Sequence, residues 1–201
     1  MKHLTVALGA ATLCAAVCGA ARAQHPTSRR PPISLSWHAF VQPTTAIALT
    51  PLRPKLWRAL ARAVGDQAAS GLGPQAARQE RALAPSATVS FRRLSRSGPP
   101  AALVAGPPAD CSATGNCPLM VFRRSGPRWT ALLADGLGQG LLPQPEVSHG
   151  LRDIVIEMTD GATESYDTLY RFDGHKYRRA GCWYVTYPRG DKRPPHFRPC
   201  G

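Results

Sequence analysis

From residue 86 to 187 the chain repeats one pattern: short runs of alternating apolar and polar residues, punctuated by glycine-containing turns. That pattern constrains the fold most, because a side-chain period of two demands strands, and tight turns between strands demand antiparallel pairing. Val89 and Phe91 alternate with Ser90 and Arg92. Residues 101–105 and 119–122 are buried-strand candidates. Arg123-Arg124-Ser125-Gly126-Pro127 reads as a turn into a hairpin partner at 129–133. A short strand bounded by glycines is expected at 137–142. In residues 153–158, Ile154 and Ile156 take one face and Val155 and Glu157 the other. Asp160-Gly161 and Asp173-Gly174 flank the next strand, 166–172, and Asp-Gly between alternating runs is a strong hairpin signal. Residues 182–187 close the series. The aromatic residues from Trp129 to Tyr184 fall in this part, where strand propensity and packing account for them.

Upstream the character is different. Thr50-Pro51 suggests an N-cap with proline at the first helical position, and Gly65 a stop. Between them Leu56, Trp57, Leu60, Ala61 and Val64 share one face, and Lys55, Arg58 and Arg62 the other. A weaker, alanine-rich helix is expected over 75–83. The fold class is therefore α+β, with an N-terminal helical or irregular arm packed on a small antiparallel β-sheet domain. Residues 24–85 form the arm, with an amphipathic helix near 51–64; residues 86–187 form the β domain. A Pro-rich tail follows over 188–201.

The first 23 residues read as a signal peptide. A short basic start is followed by an apolar run, and Ala21-Arg22-Ala23 offers small residues at the cleavage site. An uncleaved anchor is the alternative. Of six cysteines, Cys14 and Cys18 lie in the leader. Four remain, and an even count in an exported chain reads as disulfides. Three pairings are open, of which the nearest-neighbour set, Cys111–Cys117 and Cys182–Cys200, is preferred. No Cys-x-x-Cys motif is present to support zinc. The expected compartment is periplasmic or secreted.

The chain carries a formal net charge of +13, unevenly distributed. Residues 24–128 hold 14 basic residues against Asp66, Glu80 and Asp110 alone, whereas residues 129–201 hold nine of each sign. The excess is nearly all arginine, suited to bidentate contacts with carboxylate or phosphate. Arg92, Arg93, Arg96, Arg123, Arg124 and Arg128 would form one basic patch if the strand at 86–93 lies beside the 119–133 hairpin. No Gly-x-Ser-x-Gly, His-Glu-x-x-His, P-loop or Rossmann glycine pattern is present, and no cofactor or metal site is expected. His149, near Asp153 and beside Ser148, is the best acid/base candidate. Asp160, Glu164 and Asp167 cluster around a turn, where solvation is the ordinary role of aspartate. The favoured function is an exported envelope binding module meeting an anionic partner, such as an envelope polymer, or another exported protein. Nucleic acid is disfavoured. The alternatives are a secreted hydrolase using His149 with a nearby carboxylate, and an inhibitor or modulator presenting the Cys111–Cys117 loop.

Residues 149–177 resemble one blade of FG-GAP-type β-propeller repeats. Gly150, Asp153, Ile154 and Ile156 match the first strand, and Tyr170-Arg171-Phe172-Asp173-Gly174 the later hairpin. The calcium ligands of those repeats would fall on Pro145, Val147 and His149, which are not a set of oxygen donors, so calcium is not expected there. No second copy of the unit occurs, which excludes a closed propeller. The wider pattern, with its Cys-x5-Cys loop and YRFDG hairpin, is similar to small exported bacterial domains of unknown function.

Overall fold

The computed structural model describes residues 41–188 and 195–200. The segment read as a signal peptide, residues 1–23, and the start of the expected arm, residues 24–40, lie outside the described residues.

Among the described residues, two α-helices and two antiparallel five-stranded sheets make up the fold. The first sheet contains β1 (Thr45–Ala46), β2 (Thr88–Arg92), β3 (Ala101–Ala105), β4 (Cys117–Ser125) and β5 (Arg128–Gly138), in chain order. The second contains β6 (Gly140–Ser148), β7 (Leu151–Thr159), β8 (Glu164–Phe172), β9 (Tyr177–Thr186) and β10 (His196–Pro199), again as an uninterrupted meander. Only Gln139 separates β5 from β6. Its N–H donates to Glu157 O at 2.8 Å, and Gly140 then pairs with Glu157. The chain thus leaves one sheet and enters the other in a single residue. Gly138 makes this passage possible, because a Cβ there would lie 2.2 Å from Glu157 O.

The two sheets close on each other around Leu103, Val121, Leu132 and Leu133 from the first and Leu141, Ile154, Ile156 and Phe172 from the second. Alternation then sends Val89, Ala102, Val104, Met120 and Phe122 to the opposite face of the first sheet. That face is covered by α1 (Pro54–Ala68) through Leu60, Ala61 and Val64. Trp129 Nε1 donates to Leu56 O at 3.2 Å and pins β5 to the helix. The layers are therefore helix, sheet, sheet.

α1 begins three residues after Pro51, with Pro54 at its first position, and it continues through Gly65. Thr50 instead closes a 3-10 turn by donating to Ile47 O. Gly65 does not stop the helix; its missing Cβ instead lets α2 (Pro74–Leu83) approach, since a Cβ would lie 2.9 Å from Arg81 Cα. Asp66 and Arg81 tie the two helices at 2.9 Å.

Both disulfides of the preferred pairing are formed, Cys111–Cys117 and Cys182–Cys200. The first bridge closes a loop that docks on β7. Asn116 Nδ2 donates to Thr159 O at 2.8 Å, and its Oδ1 accepts from Thr159 N at 2.9 Å, so the side chain pairs with the strand end as a backbone would. The second bridge holds β10, which forms inside the segment read as tail. Residues 149–177, the stretch with the propeller-like pattern, supply the β6–β7 turn, the hairpin β7–β8 and the turn into β9. Asp173 shapes that last turn: its Oδ1 accepts from the backbone of His175 and Lys176, and its Oδ2 pairs with Arg178. Among the described residues no helix is long and apolar enough to cross a membrane.

Candidate functional site

The register of the first sheet decides where the arginines go. β3 intervenes between β2 and β4, so the two arginine-bearing strands are not direct neighbours. They nevertheless end at the same edge. Arg92 pairs with Ala101, Ala102 pairs with Phe122, Arg123 pairs with Thr130 and Arg124 with Trp129. Arg128 opens β5 beside Ser125, and Arg93 and Arg96 follow β2. All six thus gather at one end of the sandwich. They do not share a face. Arg92 lies on the sheet-facing side with Ala101, whereas Arg124 lies on the helix side with Trp129. The arrangement is a rim. Arg124 is half-buried and the other five are exposed. Among the described residues none of the six makes an ion pair; the three pairs found use Arg81, Arg171 and Arg178.

A cavity of about 260 Å³ opens at this rim, between the loop after β2 and the β6–β7 turn. Arg123, Ser95, Ser97, Gly98 and His149 line it, above an apolar floor of Leu94, Leu132 and Leu151. Arg152 N donates to Leu94 O at 2.6 Å and clips the two sheets together behind it. His149 and Gly150 form the two-residue turn between Ser148 and Leu151, both with positive φ, 47° and 86°. Two positive φ values are the geometry that suits the twist of a tight hairpin. The lining includes no carboxylate, and among the described residues no hydrogen bond or ion pair joins His149 to one. Asp153, the acid nearest in sequence, is buried on β7 and accepts from Arg171 Nε at 3.3 Å.

The acids around residue 160 separate. Asp160 and Glu164 stay exposed, but Asp167 is 0% exposed and stands directly opposite Glu157, which is 3% exposed. Burial, with the neighbouring Asp167 charge second, raises the Glu157 carboxyl from 4.5 to about 7. Burial raises Asp167 from 3.8 to about 6, opposed by the hydrogen bond it accepts from Ser165 Oγ at 2.9 Å. Tyr187 adjoins the same group, its hydroxyl pushed upward by burial and by Asp167. One oxygen of each acid, Glu157 Oε1 and Asp167 Oδ2, has no hydrogen-bond partner. Two opposed carboxyls out of water favour holding protons over carrying two charges. Among the described residues no group of His, Cys, Asp and Glu is arranged to hold a metal ion.

No family model, curated protein or solved structure matches this chain. In the sequence the buried pair is masked by the nearness of Asp167 to Asp160 and Glu164. A strand's period of two was the available signal: it puts Asp167 on the face of Leu169 and away from Glu164.

Proposed function

We propose that this protein is an exported binding module that engages an anionic partner, an envelope polymer or the acidic surface of another exported protein, through its arginine rim. One observation carries the reading: six arginines from two distant chain segments, 92–96 and 123–128, converge on one end of the sandwich, and among the described residues none is neutralised by a carboxylate in an ion pair. Stability does not require such a gathering, since unpaired like charges repel; an anion relieves it. Guanidinium forks suit carboxylate, phosphate and sulfate groups. The cavity within the rim adds Arg123, His149 and two serine hydroxyls, a donor-rich lining for one anionic group. Both disulfides fit an oxidising compartment, and the leader fits export. The hydrolase alternative would need a carboxylate beside His149, and the lining offers none.

The test compares two triple variants of equal charge. Arg92→Gln/Arg123→Gln/Arg128→Gln removes rim charge; Lys55→Gln/Arg78→Gln/Arg179→Gln removes as much from exposed positions elsewhere. On a sulfated-polysaccharide resin, wild type and the second variant should be retained near 0.1 M salt and released toward 1 M, as the screening length falls from about 10 to about 3 Å. The rim variant should elute early. Equal loss in both variants, or retention insensitive to salt, would refute a dedicated rim.

A further inference from the structure

The second disulfide builds a face that the tail would not form by itself. Cys200 N donates to Cys182 O at 3.1 Å, and the bridge locks β10 against β9. The registers of β8, β9 and β10 then set side chains in rungs. Glu164 pairs with Thr186, and Thr186 with His196. One rung along, Tyr166 pairs with Tyr184, and Tyr184 with Arg198. Alternation puts these six on the same side of the sheet as Tyr170 and Phe172, opposite the side that holds Asp167 and Trp183.

The second rung is an aromatic cluster with the two rings tilted at 52°. The tyrosine ring centroids lie 4.2 Å apart, and the Arg198 guanidinium carbon sits 4.8 Å from the Tyr184 centroid. Tyr166 Oη donates to Tyr184 Oη at 3.0 Å. That hydrogen bond, with burial second, raises the Tyr166 hydroxyl to about 12. A cavity of about 440 Å³ lies over both rungs. Asp160 adds a carboxylate at its edge, held there because the N–H groups of Asp160 and Gly161 both donate to Glu164 O, at 3.0 and 3.2 Å.

This lining has a distinct character. Aromatic surface is flanked by acceptors, Asp160 and Glu164, and by donors, Arg198, His196 and the tyrosine hydroxyls. Two carboxylates stand against one guanidinium and an imidazole, so the pocket lacks the strong positive field of the rim. A ligand with an apolar ring face and many hydroxyls, each able to donate and accept, uses every one of these groups. The volume falls in the range of about 300–1,000 Å³ usual for small-ligand sites. We infer that the face formed by β8, β9 and the disulfide-held β10 is a binding site for a neutral saccharide, with Tyr166, Tyr184, Glu164, His196 and Arg198 as its contacts. The site is separate from the arginine rim and stands or falls independently of it.

NMR titration of the oxidised protein with tetrasaccharides of N-acetylglucosamine and of glucose, up to about 10 mM, reaches weak millimolar affinity. Polyphosphate and glycylglycine serve as comparison probes. Saturable shifts of Tyr184 and His196 are expected with at least one tetrasaccharide. Tyr184→Ala should weaken that binding about tenfold, the loss of an aromatic contact, while Tyr184→Phe keeps most of it. Cys182→Ser/Cys200→Ser should weaken it by freeing β10. If Tyr184→Ala does not fold, the exposed variants Arg198→Gln and His196→Gln decide, each expected to weaken binding severalfold. The inference is overturned by no saturable shift with either tetrasaccharide, by a response confined to polyphosphate or glycylglycine, or by binding that the folded variants leave unchanged.

Discussion

Replacing Glu157 with glutamine should make the fold less sensitive to pH, and the size of the effect follows from the buried pair. In the folded chain Glu157 titrates near 7, raised from 4.5, and Asp167 near 6, raised from 3.8. Both shifts are upward, so the folded state holds its protons more tightly than the unfolded chain does. The pair therefore costs nothing below about pH 3, where both states are protonated. The cost accumulates as pH rises from about 3 to 7, and it is complete only by about pH 8. Moving one carboxyl that far corresponds to about 3 kcal/mol. Because each acid contributes to the other's environment, the two costs are not additive, and about 3–5 kcal/mol for the pair is the scale to test. Glu157→Gln removes one titration, relieves the repulsion and supplies an amide donor opposite Asp167 Oδ2. At pH 8 the variant should be more stable than wild type by about 2 kcal/mol, and at pH 4 the two should agree within about 0.5 kcal/mol. Urea unfolding followed by tryptophan fluorescence at pH 4, 6 and 8 measures this. Asp173, held below its ordinary range by backbone hydrogen bonds and Arg178, works with the opposite sign, but its contribution is lost only under more acidic conditions. A wild-type midpoint that rises from pH 5 to 8, or a glutamine variant as pH-sensitive as wild type, would refute the reasoning.

Three further outcomes follow from the packing. Gly138→Ala should destabilise the fold by about 3 kcal/mol or more, because the new Cβ meets Glu157 O, whereas Gly161→Ala, where a Cβ finds nothing within 4 Å, should stay within about 0.5 kcal/mol; paired urea curves separate them. Phe122→Ala, emptying the layer between α1 and the first sheet, should cost about 3–5 kcal/mol in the same assay. Cys182→Ser/Cys200→Ser opens a loop spanning 18 positions and should cost about 3 kcal/mol, with loss of amide protection over 196–199 in hydrogen exchange.

The hairpin series was legible because local chemistry encodes it. Asp173 folds its own turn through hydrogen bonds to residues two and three ahead, and the Ile154/Ile156 alternation survives as the core face of β7. The amphipathic stripe of α1 was legible too, but its ends were not. Thr50 and Gly65 carry the marks of cap and stop, yet each serves a neighbour instead, Thr50 a 3-10 turn and Gly65 the approach of α2. β10 was hidden since His196-Phe197-Arg198-Pro199 lacks a strand pattern; pairing with β9 and a covalent bridge supply what propensity does not. The acidic trio misled because nearness in sequence is not nearness on a strand. An offset of three, from Glu164 to Asp167, reverses the face.

By itself the sequence determined that residues 86–187 form an antiparallel hairpin series, the preferred cysteine pairing and the upstream excess of arginine, all set by interactions within a few residues or by composition. Tertiary structure alone decided that one meander becomes two sheets at Gln139, that six arginines form a rim around both faces, and that Glu157 meets Asp167 out of water. Those outcomes depend on register and on what packs above each face. Both are settled by free-energy differences summed over contacts between distant residues, and no local stretch of chain carries them.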